Sequence, residues 1–117
     1  MNRILPPRFE GTFRLPDGRT LGYAEYGPVD GKPILWFHGT PGARRQIAPD
    51  ARRLASRRKV RLIAVERPGI GDSTSHSYGS LADWAEDIRV FCDAKGISEF
   101  AVCGLSGGGP YALACAF

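Results

Sequence analysis

The apolar positions of this chain fall into short runs whose spacing changes from segment to segment, and the changes mark the elements. Gly11–Leu15 and Thr20–Tyr26 flank Pro16-Asp17-Gly18-Arg19 and read as a β-hairpin with its turn. A second turn is expected at Pro28–Lys32. Ile34, Leu35, Trp36 and Phe37 form a continuous apolar run, as in a strand covered on both faces. A helix is predicted from near Pro49, because proline is tolerated in a first turn, to around Ser56. Ile47, Ala51, Leu54 and Ala55 mark its apolar face. Val60–Val65 is the next strand. Ser80 and Asp83 have the spacing of a capping box and open the clearest helix, whose apolar face is Leu81, Trp84, Ala85, Ile88, Phe91 and Cys92. Gly96 ends that helix. Phe100–Gly104 is the last strand, and another helix begins after Ser106.

Two strands followed by alternating strands and helices predict an α/β fold: a mostly parallel sheet with an N-terminal β-hairpin and helices on both faces. The length, 117 residues, allows one domain at most, and no repeat or linker divides residues 1–117. In an open α/β sheet the ligand site lies beyond the carboxyl ends of the strands. Three loops reach that edge: His38–Gly42, Glu66–Ser73 and Gly104–Gly109.

With 43% hydrophobic and 24% charged residues the composition is that of a globular protein, not a disordered one. The net charge of +4 comes mainly from Arg44, Arg45, Arg52, Arg53, Arg57 and Arg58, with Lys59 beside them. Such a cluster could mark a nucleic-acid surface. The arginines alternate with the apolar face of the first helix and lack interleaved aromatics for stacking bases. They are read as a solvated face, and no nucleic-acid partner is expected. Cys92, Cys103 and Cys115 sit in apolar runs without metal-binding spacing, which fits a reducing, cytoplasmic setting better than a disulfide scaffold. No apolar run has the length of a signal peptide or a membrane span, so no membrane partner is expected.

Gly104-Leu105-Ser106-Gly107-Gly108 fits G-x-S-x-G between a predicted strand and a predicted helix. So tight a reversal strains the backbone at the serine and lifts its Oγ out of the turn. Gly104 and Gly108 leave room where strand and helix crowd together, and the helix N-terminus favours developing negative charge. Ser106 is the candidate nucleophile; the alternative is an ordinary glycine-rich turn. The phosphate-loop and dinucleotide fingerprints do not close here or at Gly69–Thr74. His38-Gly39-Thr40-Pro41-Gly42 follows the Ile34–Phe37 strand. Its Thr40 N–H, paired with that of Gly107, could form an oxyanion hole. Glu66 and Asp72 are read as structural carboxylates.

Together, the hairpin and these three motifs, in this order from Gly11 to Phe117, resemble the N-terminal half of an α/β-hydrolase-fold serine hydrolase. The resemblance implies Ser106 as nucleophile, Thr40 and Gly107 as oxyanion donors, and His38, Gly39, Gly104 and Gly108 as loop-supporting residues. It implies a small-molecule acyl substrate (an ester, thioester, amide or related bond) and neither metal nor organic cofactor. Serine at the elbow, in place of aspartate, speaks against the dehalogenase and epoxide-hydrolase branches. Glu66 departs mildly from the aspartate more often found there.

In this family the triad acid and histidine follow the serine along the chain, and Gly107–Phe117 contains neither. His38 matches the position that supports the loop, and His76 is expected at an exposed rim. The expectation is a truncated α/β-hydrolase domain over residues 1–117, ending soon after the elbow helix begins, with both triad partners in a missing C-terminal part. The competing reading is a non-catalytic remnant or interaction module that keeps the half-fold.

Overall fold

The structure, a computed structural model, describes residues 6–39, 42–76, 80–105 and 108–116. The element order is β1 (Phe9–Arg14), β2 (Thr20–Tyr26), β3 (Lys32–Phe37), α1 (Pro49–Arg57), β4 (Val60–Val65), α2 (Leu81–Ala94), β5 (Ala101–Gly104) and α3 (Gly109–Ala116). The strands form one mixed sheet in the order β1-β2-β4-β3-β5. β1 and β2 make the expected antiparallel hairpin, with Arg14 opposite Thr20. β2 then pairs antiparallel with β4, not with its sequence neighbour β3. β4, β3 and β5 run parallel, so their carboxyl ends, at Val65, Phe37 and Gly104, share one edge.

The side-chain alternation of a strand divides the core in two. Leu35, Phe37, Ile63 and Val65 point to one face, where Trp84, Ile88, Phe91 and Cys92 of α2 and Ala112 of α3 close over them. Trp84 meets the rings of Phe37 and Tyr111 edge-on, with centroids 5.6 and 5.2 Å apart. On the other face Leu62, Ala64, Ala24 and Tyr26 pack against Ile47 and Ala55 of the α1 segment, with Ile34 and Trp36 at the margin. Helices therefore cover both faces. Among the described residues, no helix is long and apolar enough to cross a membrane.

Local chemistry explains both the agreements and the departures. α2 ends where Gly96 takes the left-handed conformation (φ 72°). Ile97 N–H then donates to Cys92 O at 2.9 Å and Gly96 N–H to Asp93 O at 3.1 Å, a Schellman closure of the last turn. At the other end Ser80 is the N-cap, but its side chain makes no capping bond. The backbone closes the turn instead, Asp83 N–H donating to Ser80 O at 3.1 Å. Leu81 is 41% exposed, so the apolar face begins at Trp84. On α1, Leu54 faces water and Arg52 does not. The Arg52 guanidinium donates to the carbonyls of Ile47 and Arg45 and lies 4.9 Å from the Tyr26 ring centroid. An arginine expected on the solvated face is thus part of the core margin, because its many donors can each reach a carbonyl. Leu113 of α3 is open to solvent.

Candidate active site

The three loops of interest converge at the carboxyl ends of β3, β4 and β5, held by contacts that begin in the backbone. Leu105 N–H donates to Phe37 O at 3.1 Å, and Gly108 N–H to Leu105 O at 2.8 Å. The turn after β5 is thereby pinned against the end of β3. A side chain at Gly104 would put its Cβ 2.7 Å from Gly108 O, and one at Gly108 would put its Cβ 2.6 Å from His38 O. Both positions are closed to every residue but glycine, since real Cβ atoms do not approach so near to backbone. Ser106 and Gly107 lie outside the described residues, as do Thr40 and Pro41. The structure describes the frame on either side: β5 up to Leu105, Gly108 at the head of α3, and Gly39 and Gly42 flanking residues 40 and 41.

His38 is 1% exposed, and both ring nitrogens are engaged. Nε2 accepts the Arg67 N–H at 3.0 Å, and Nδ1 stands 2.9 Å from Gly39 O. Accepting at Nε2 leaves the proton on Nδ1 as the donor to that carbonyl. Burial pushes the imidazole below its ordinary pKa, and the nearby Arg67 charge works in the same direction, against the Gly39 carbonyl and Glu66. His38 is thus a neutral ring that ties the β3 loop to the β4 loop. Its neighbour Arg67 lies with its guanidinium 5.2 Å from the ring centroid of Tyr111 in α3, linking the third element. His76 is exposed.

A buried carboxylate joins the same two loops. Glu66 is 2% exposed; it accepts Asp72 N–H at 3.0 Å, Arg44 Nη1 at 3.2 Å and Arg44 N–H at 3.3 Å. The same guanidinium reaches Asp72 Oδ2 at 2.6 Å and Glu10 Oε2 at 2.8 Å. Three carboxylates from β1, the end of β4 and its loop therefore converge on Arg44, and its pKa is raised, first by Asp72. Glu10 is held down to about 2, chiefly by its bond to Arg45. Ser73 completes the tie: its hydroxyl donates to Glu66 O at 2.7 Å and accepts Gly22 N–H at 2.9 Å. Glu66 and Asp72 are structural, as their sequence context suggests. Sequence reasoning missed Arg44 because it sits in an arginine-rich run, where an ion-paired residue looks like any other surface cation.

No group of three or more ligating side chains could hold a metal ion among the described residues. The Cys92 and Cys115 thiols are both pushed up to about 11, mainly by burial, so neither supplies a thiolate nucleophile at neutral pH.

Residues 32–116 match the family described as alpha/beta hydrolase fold. Among curated proteins the chain is similar to a proline iminopeptidase of Arabidopsis thaliana, 31% identical over 94% of this chain and 29% of the relative. It is similar also to one of Xanthomonas citri, 30% identical over 96% of this chain and 36% of the relative. The chain thus spans roughly a third of the length of these relatives. Among solved structures, one described as an epoxide hydrolase from hot-environment metagenomes superposes with a TM-score of 0.74 at 26% identity, over 92% of this chain and 37% of that one. A membrane phospholipase A, described as a bacterial virulence factor, shares the fold with a TM-score of 0.77 at 24% identity, over 92% of this chain and 34% of that one.

Proposed function

The chain belongs to the α/β-hydrolase fold family, and on that premise we propose that it carries the nucleophile and oxyanion hole of a serine hydrolase. The observation that carries this reading is the closed packing at Gly104 and Gly108, where a strand and a helix approach too closely for any side chain. That is the geometry in which a serine midway between them is thrust forward as a nucleophile elbow. Ser106 Oγ attacks the acyl carbon and its proton passes to a histidine base. The backbone N–H groups of Thr40 and Gly107 hold the tetrahedral oxyanion until the leaving alcohol, thiol or amine departs with that proton. Water then repeats the sequence on the acyl-enzyme.

The base is proposed to lie outside residues 1–117, together with its carboxylate partner. Two observations support this. Both nitrogens of His38 are committed within the fold, and the curated relatives are about three times as long as this chain. Their shared name makes an amide at proline the first substrate to try, with simple esters and thioesters after it. The substrate is proposed to be a small acyl compound, handled without cofactor in a cytoplasmic protein.

The test is labelling of the protein as its native source makes it with a fluorophosphonate, which acylation-competent serines attack. Modification at Ser106, lost in Ser106→Ala, is the expected result. An intact mass of 12.7 kDa with an unlabelled Ser106 overturns the catalytic reading and leaves the non-catalytic module.

A further inference from the structure

The loop that follows β3 is closed by a side chain from within its own sequence. Gln46 Oε1 accepts the N–H of Gly39 at 2.8 Å, and Gly39 is buried. The same amide presses on the far side of the loop: a Cβ at Gly42 would lie 2.6 Å from Gln46 Cδ. Gln46 N–H also donates to Ala43 O at 2.9 Å, which turns the chain back so that the side chain can reach Gly39. One amide group therefore touches the chain immediately before residue 40 and immediately after residue 41. Arg44 and Glu66 anchor the outside of this loop; Gln46 fills its inside.

We propose that Gln46 is a positioning residue for acyl transfer: its side-chain carbonyl fixes the turn that carries the Thr40 N–H, and so sets where the oxyanion donor stands. This inference rests on the hydrolase reading given above. The physical argument has two parts. A buried N–H must find an acceptor, and Gly39 finds one in a side chain, so the loop's entry depends on that residue's identity. A donor of an oxyanion hole must be held in place before the reaction, because a misplacement of about 1 Å can cost about 100-fold in rate. Gln46 contributes to the rate without touching substrate.

The experiment compares Gln46→Met with Gln46→Glu in the protein as its source makes it. Methionine keeps the length and bulk but loses the acceptor, whereas glutamate keeps the acceptor. Two quantities are read: the fluorophosphonate labelling of Ser106, resolved into a binding constant and a maximal rate, and the hydrogen exchange of the Gly39 amide. Gln46→Met is expected to lower the maximal rate about 10- to 100-fold with the binding constant unchanged, and to speed Gly39 exchange at least about tenfold relative to core amides of β4. Gln46→Glu is expected to restore most of both. A Met variant that labels at the parent rate, or whose Gly39 exchange is unchanged, overturns the role of Gln46 while the hydrolase reading stands. Equal losses in both variants, with core amides exchanging faster too, mean general destabilisation and overturn it as well. A parent protein that never labels overturns the hydrolase reading, and the positioning role falls with it.

Discussion

The tight approach of Gly108 to the end of β3 gives the sharpest stability prediction. In Gly108→Ala the new Cβ would stand 2.6 Å from His38 O and 2.7 Å from the Phe37 carbonyl carbon. Both neighbours are backbone at the end of β3, where the chain is held in the middle of the sheet between β4 and β5. Neither can swing aside as a side chain would. Either α3 or the end of β3 must move by several tenths of an ångström, and α3 cannot back away without loosening Tyr111 from Trp84. Overpacking a well-packed site typically costs about 1–3 kcal/mol, and rigid neighbours put this case at the upper end, about 2–3 kcal/mol. Gly109, the next residue, is the control, because a Cβ there meets nothing within 4 Å. Gly109→Ala should be neutral or gain up to about 0.5–1 kcal/mol from helix propensity. Urea unfolding followed by tryptophan fluorescence measures both variants, with unchanged slopes required for the comparison. A difference below about 0.5 kcal/mol between the two alanine variants would refute the argument that close approach, not backbone conformation alone, demands glycine at 108.

Further outcomes follow from the buried groups. Glu66→Ala leaves the Arg44 and Asp72 backbone N–H groups without their buried acceptor, while Arg44 keeps Asp72 and Glu10, and should cost about 1–3 kcal/mol, read as a lowered urea midpoint; a loss under about 0.5 kcal/mol would mean the cluster is not the tie described. The depressed pKa of His38 means that the unfolded chain takes up a proton the folded ring refuses, so stability present above the ordinary value of 6.5 is lost as pH falls below it. Stability should fall with pH by less than the about 1.4 kcal/mol per pH unit that one full proton would give, and His38→Gln should abolish that fall; a midpoint flat from pH 7.5 to 5.5 in the parent protein would contradict this. Glu10, held at about 2 against 4.5, adds a second loss that begins below pH 4.5 and is absent in Glu10→Gln.

Where local rules decide, the chain could be read from its residues. Val60–Val65 is a strand because its run Leu62–Val65 is continuously apolar, as suits a sheet covered on both faces, and Gly96 ends α2 because only a left-handed residue closes its last turn. The crowding at Gly104 and Gly108 was legible from their place between a predicted strand and a predicted helix. What escaped is long-range. Nothing near Arg52 or Leu54 says which will meet a carbonyl and which will meet water; the Tyr26 ring and the bend at Arg45–Ile47 decide it. Ser80 has the right neighbour for a capping box, yet a backbone bond serves the same donor. The Arg44–Glu66–Asp72 cluster joins loops that become neighbours only once β3 has paired with β4, and the Gln46 brace depends on how the loop after β3 turns back on itself.

That pairing order also bears on how the site comes into being. β1 and β2 meet across the five residues 15–19, whereas Ile34 of β3 must find Ala101 of β5 from the far end of the chain. Closing so long a loop costs entropy before its contacts repay it. The approach of Gly108 to the end of β3, which exists only once β5 lies beside β3, should therefore be the last part of the sheet to assemble. Val102, half-buried against the core, should show a φ-value near 0 in its alanine variant, while Leu21 of the hairpin should show a substantially higher one. A nascent or partly unfolded chain would thus hold a formed hairpin without the turn proposed to carry the nucleophile, so the reactivity proposed for Ser106 would report completion of the fold.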